Sequence, residues 1–220
     1  MRLYLSSFRL GDHPDALRTL APPPGPVLVI ANAIDAVPPT ARAERVADEL
    51  DRMAGLGYQV AELDLRDHLD DRSGLADRLA TAALLWVRGG NVFVLRHVLA
   101  ISGADQLIID GLATDAFAYG GYSAGPCVLG PHLRELDACD DTDELRRTYA
   151  VEPRFDGLGV LDRAVVPHLD SEDHFETEVL TRVAARHDAA GEPYLGLRDG
   201  DVWLVAGASA RGRLLPRRDR

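Results

Sequence analysis

The sequence predicts an α/β domain built on a mostly parallel sheet with helices on both faces. Three observations carry this. The runs "VLVIAN" (27–32), "ALLWVRGGN" (83–91) and "AFAYGGYS" (116–123) are apolar along nearly their whole strand length, as strands covered on both faces are. The segments between them show helical spacing or helix-start chemistry. Two of the runs end in glycine-rich stretches, "RGGN" (88–91) and "GGYSAG" (120–125). Sheets of this class bind ligands at the carboxyl ends of their strands.

Taken in order, "RLYLSS" (2–7) predicts a first short strand and "LAPPPGP" (20–26) a loop leading into the 27–32 strand. The stretch 41–57 predicts a helix: Val46, Leu50 and Met53 share a face, Thr40 is placed to cap the start, and Gly55 or Gly57 the end. "YQVAELDL" (58–65) predicts the next strand, and the acids from Asp67 to Asp71 open a second helical region. Residues 92–115 read as helical turns broken near Gly103. The region 134–159 is polar and reads as loop with some helix. "VLDRAVVPHLD" (160–170) predicts a strand that ends at a histidine on the same rim as the serine. A helix over 171–191 follows, with Val179 and Val183 facing inward. Residues 194–215 predict short antiparallel strands with tight "DGD" and "GAS" turns.

A chain of 220 residues without an obvious linker predicts one domain over 1–220. A net charge of -11 argues against nucleic acid or an anionic membrane as partner. Two cysteines without metal spacing argue against a disulfide framework. With no signal-type segment and no long apolar run, the expected compartment is the cytoplasm. The acid-dense "DACDDTDE" (137–144) lacks the glycine and terminal glutamate of a calcium loop and reads as solvated. The basic "RGRLLPRRDR" (211–220) reads as a frayed end, too short for nucleic acid.

The chemistry centres on Gly121-Tyr122-Ser123-Ala124-Gly125. A serine hydroxyl needs a base before it can act as a nucleophile. A G-x-S-x-G turn between strand and helix presents such a serine, with small neighbours allowing close packing. His168, at the end of "AVVPH", is the favoured base; the other six histidines lie in polar or helical surroundings. A carboxylate must orient the imidazole, and Asp199, Asp170 and Glu172 are all available. "RGGN" offers backbone N–H groups, through Gly89 and Gly90, that can face an oxyanion.

The ordered pieces "RGGNVFVL" (88–95), "GGYSAGP" (120–126), "FDGLGVL" (155–161), "VVPHLD" (165–170) and "GLRDGDVW" (196–203) resemble peptidase family S51, the peptidase E group. The resemblance implies a class I glutamine amidotransferase-like (flavodoxin-like) α/β sandwich and a serine hydrolase without metal or cofactor. It implies Ser123 as nucleophile, His168 as base, Asp199 as the triad acid where the family often has glutamate, and Gly90 and Ala124 as oxyanion donors beside Asn91. Its implied partner is a small peptide, acted on by a monomer or homodimer. The family's aspartyl dipeptidases carry "GETR" in the helix after the histidine, whose arginine reads the substrate's aspartate. Here "FETEV" puts Glu178 at that place, with Arg182 one turn on. Strict specificity for N-terminal aspartate is therefore not implied. Two other readings are a glutamine amidotransferase-like hydrolase, which would need cysteine at the turn, and a binding or regulatory module of the same fold.

Overall fold

Seven strands form one sheet in the order β3-β2-β4-β5-β1-β8-β9 in the computed structural model, which describes residues 1–207 and 211–218. The strands are β1 (Arg2–Ser6), β2 (Pro26–Ile30), β3 (Gln59–Glu62), β4 (Leu84–Val87), β5 (Ala118–Tyr122), β8 (Val202–Ala206) and β9 (Arg213–Leu215). The first five named run parallel, and β8 and β9 close one edge antiparallel. Helices α1 (Pro14–Leu20) and α2 (Pro39–Ala54) cover one face. The opposite face carries α3 (Arg72–Ala80), α4 (Val92–Ser102), α5 (Ala104–Ala113), α6 (Ala124–Cys127), α7 (Thr142–Tyr149) and α8 (Thr177–Ala190). The apolar runs of the sequence are thus covered on both sides, and β4 is buried at every residue.

Local chemistry explains where the elements start and stop. Asp71 caps α3 by accepting from the Gly74 N–H, and Asn91 caps α4 by accepting from Phe93 and Val94 N–H. Gly103 adopts a left-handed conformation (φ 73°) and separates α4 from α5, which meet at 87°. No single helix among the described residues is long and apolar enough to cross a membrane.

Several boundaries differ from the sequence expectation. Helix α2 begins at Pro39, so Thr40 lies inside it rather than capping it. Proline is favoured in the first turn, where its missing N–H has no partner to lose. The strand expected over 160–170 shrinks to β6 (Ala164–Val166), which leaves the main sheet and pairs in parallel with β7 (Tyr194–Gly196). The expected antiparallel arrangement over 194–215 therefore holds for β8 and β9 but not for β7. Residues 171–176 form turns, and α8 starts only at Thr177. The basic C-terminal stretch is not frayed over 213–215, because β9 pairs with β8. The "GAS" turn and the end of that basic stretch fall on residues 208–210 and 219–220, outside the described residues.

The order β3-β2-β4 reverses direction in the sheet, so the crevice beyond β2 and β4 is the topological switch point. The segments leaving β1, β2, β4 and β5 all meet there.

Candidate active site

A cleft of about 620 Å³ opens beyond these strand ends, with Phe8, Ala33, Gly89, Gly90, Asn91, Ser123, His168 and His174 in its lining. It lies within the size range of small-molecule sites.

Ser123 occupies the turn between β5 and α6 with φ 52° and ψ -112°. A side chain at such a φ is strained, and the surroundings hold it there. Its N–H donates to Ser7 O (3.1 Å), and its carbonyl accepts from Cys127 N–H (3.1 Å). Tyr119 OH donates to Gly125 O (2.7 Å). The flanking glycines are there for close approach: a Cβ on either Gly121 or Gly125 would lie 2.5 Å from Val87 O. Gly90 has φ 148°, and a Cβ there would meet Ala33 O at 2.5 Å. The Gly90 and Ala124 N–H groups have no acceptor among the described residues. Asn91 lines the cleft, but its amide is committed to structure. Besides capping α4, it donates to Asp141 O (2.8 Å) and Glu144 Oε2 (3.1 Å).

His168 follows β6 in a left-handed conformation (φ 55°). Its Nδ1 lies 2.7 Å from Asp199 Oδ1, and its backbone N–H donates to Ser7 Oγ (2.8 Å). The Ser7 hydroxyl in turn donates to Asp199 Oδ1 (2.7 Å). Asp199 N–H donates to Ser171 Oγ (2.8 Å). Burial alone would raise the Asp199 pKa. The His168 hydrogen bond and charge, with the Ser7 hydrogen bond, outweigh it and hold the carboxyl below its ordinary value. An ionised Asp199 can only accept, so in the neutral imidazole Nδ1 is the nitrogen that carries the proton and Nε2 the one with the lone pair. Ser123 Oγ and His168 share the cleft, with no hydrogen bond joining them in this conformation. Side-chain contacts of this kind often tighten only once substrate is bound.

His174 stacks face to face on His168, ring centroids 3.5 Å apart and planes 3° from parallel. Phe8 meets both rings edge-on. Burial, and next the charge His168 carries when protonated, lowers the His174 pKa, with Asp199 opposing them. His168, His174 and Asp199 offer ligand-type atoms within 4.8 Å of one another. The lone pairs of two nearly parallel stacked rings, however, lie in separate parallel planes and do not converge on a common centre.

Of the other acids weighed from sequence, Asp170 pairs with Arg198 (2.9 Å), and Glu172 lines a second cavity. Glu178 and Arg182 line that same second cavity and are not brought to the Ser123 cleft. Cys127 is buried, its thiol pKa raised well above the ordinary value by desolvation. Sequence reasoning missed Ser7 and His174. Ser7 carries no local signal, whereas the ring chemistry of His174, six residues after His168, was a usable one.

The family model of peptidase family S51 matches residues 37–212. A Listeria monocytogenes protein named an uncharacterized peptidase is 28% identical over 119 residues, covering 54% of this chain and 55% of its own length. Another so named, from Pasteurella multocida, is 31% identical over 143 residues, covering 62% and 64%. The chain thus spans somewhat more than half the length of these relatives. Among solved structures, a Listeria monocytogenes protein named for peptidase E superposes with a TM-score of 0.75 at 22% identity, covering 97% of this chain and 98% of the other. A peptidase from an acI-B1 actinobacterium gives 0.66 at 17% identity, covering 99% and 95%. At these identities the two structures establish the flavodoxin-like fold and no more. The family model covers most of the chain, and on that ground the chain belongs to peptidase family S51.

Proposed function

We propose that this chain is a serine peptidase hydrolysing dipeptides or short peptides through Ser123, His168 and Asp199. One observation carries the reading: the strained Ser123 turn and the Asp199-paired His168 line a single cleft. Ser123 Oγ attacks the scissile carbonyl as its proton passes to His168 Nε2. The oxyanion forms against the N–H groups of Gly90 and Ala124. The C–N bond then breaks, His168 returns the proton to the leaving amine, and water repeats the sequence on the acyl-enzyme. Asp199 and Ser7 hold the imidazole in the tautomer this requires. The placement of Glu178 and Arg182 on a different cavity supports leaving N-terminal aspartate specificity out of the reading.

The test is labelling by a fluorophosphonate probe together with hydrolysis of Asp-Leu, Glu-Leu, Ala-Leu, Lys-Leu and Gly-Leu. Labelling and cleavage that both vanish in Ser123→Ala are expected. Folded wild-type protein that neither labels nor cleaves would favour a binding module of the same fold.

A further inference from the structure

The cleft is electrically lopsided across Ser123. On the α2 side of the sheet it is lined by Arg52, Arg88 and Glu49. Glu49 is buried and already engaged: Oε1 accepts from Trp86 Nε1 (2.8 Å) and Oε2 from Tyr122 OH (3.1 Å). Arg88 Nε lies 4.0 Å from Glu49 Oε2, too far for a hydrogen bond, and its NH1 donates to Gly89 O (2.6 Å). The Nε atoms of both Arg52 and Arg88 are buried with no acceptor among the described residues. A buried guanidinium N–H without an acceptor is costly, and a carboxylate is the partner whose geometry fits it. Arg45 and Asp48, also lining the cleft, cancel in charge, and Arg9, the remaining cation of the lining, is exposed and lies over the Phe8 ring. The opposite wall is acidic, lined by Asp140, Asp141 and Glu144 on the α4 and α7 side and by Glu176 just before α8.

We propose that Arg52 and Arg88 form a carboxylate subsite that takes the free C-terminal carboxylate of a short peptide. This rests on the serine-peptidase reading above. Helix α2, which carries Arg52, packs on one face of the sheet, and α4 and α7, beside the acids, pack on the other. In a dipeptide the ammonium and the first side chain belong to the acyl half, and the terminal carboxylate belongs to the leaving half. An acidic wall accepts the ammonium and repels a carboxylate beside it. The carboxylate that reaches the arginines is therefore the one across the scissile bond. The same pairing fixes the direction in which a peptide lies and favours substrates short enough to present both ends.

Binding to the Ser123→Ala protein separates this from catalysis. Calorimetric titration uses Ala-Leu, Ala-Leu amide and Asp-Leu amide. Ala-Leu is expected to bind at least tenfold tighter than either amide, and that preference should be lost when Arg52→Gln or Arg88→Gln is added. Equal binding of Ala-Leu and its amide, or no binding, overturns the proposal. So does a preference that survives both substitutions, or Asp-Leu amide binding as tightly as Ala-Leu. Fluorophosphonate labelling of the arginine variants on the Ser123 background checks their fold and leaves the peptidase reading to stand or fall separately.

Discussion

Replacing Ser123 with glycine should make the protein more stable while removing the hydroxyl proposed as nucleophile. The backbone at Ser123 has φ 52° and ψ -112°, a conformation that costs a residue with a Cβ about 1–3 kcal/mol. Glycine adopts it freely. Against that gain stands the larger conformational freedom of glycine in the unfolded chain, about 0.4–1 kcal/mol. The Ser123 side chain makes no hydrogen bond among the described residues, so nothing else of size is lost. The net expectation is a stabilisation of about 1 kcal/mol, or roughly 3 °C in Tm for a chain this long. Ser123→Ala is the control. It keeps the Cβ and the strain, so it should stay within about 0.5 kcal/mol of wild type. Urea unfolding with an unchanged m-value, read beside thermal scans, measures both variants. If the glycine variant is no more stable than the alanine variant, the turn stores no strain and the reasoning fails.

Three further outcomes follow from the same geometry. Asp199→Asn keeps the shape of the contact but removes the ionised acceptor that sets the His168 tautomer; kcat should fall about 10³–10⁴-fold, with KM little changed in steady-state assays. Asp140, whose Oδ2 accepts from Val92 N–H (2.8 Å), has its pKa pushed up to about 7, chiefly by burial and next against the opposing Val92 hydrogen bond, with Glu176 and Glu144 adding to the rise. The folded state thus binds a proton that the unfolded state releases near pH 4, and stability drains away as pH rises from there to about 7. Asp140→Asn should be more stable than wild type at pH 8, by on the order of 2 kcal/mol, and the gain should vanish towards pH 4 in urea melts. His174 has its pKa lowered in the fold, so protonation favours the unfolded chain and stability is lost as pH falls below about 6.5. His174→Phe keeps a ring against His168 without that proton and should lose less stability than wild type between pH 7 and pH 5.

The parts of this molecule legible in its sequence are those set by local chemistry. Strands β2, β4 and β5 announce themselves as apolar runs, Gly103 as a helix break, and Ser123 as a serine between glycines packed on Val87. The expectation that His168 ends a strand of the main sheet failed because β6 is only three residues long and pairs with β7 instead. Nothing local distinguishes a strand that joins a sheet from one that forms a two-stranded annex. Ser7 was invisible for a related reason: its partner His168 is 161 residues away. The helical neighbours Glu178 and Arg182 are close to His168 in sequence, yet the turns over 171–176 swing them onto another face.

Strand β1 has a consequence that reaches beyond packing. It sits between β5 on one side and β8 on the other, and at its end Ser7 touches the segments of Ser123, His168 and Asp199 together. Made before the other strands of this sheet, β1 holds the site's alignment but has no antiparallel neighbour until residues 202–206 are made. A nascent chain that has already exposed the serine turn still lacks the carboxylate and the strand that seats it. The grouping of these side chains waits for Ser7 to meet Asp199, 192 residues further along, so the cleft takes its final form only after translation has passed every strand of the parallel sheet.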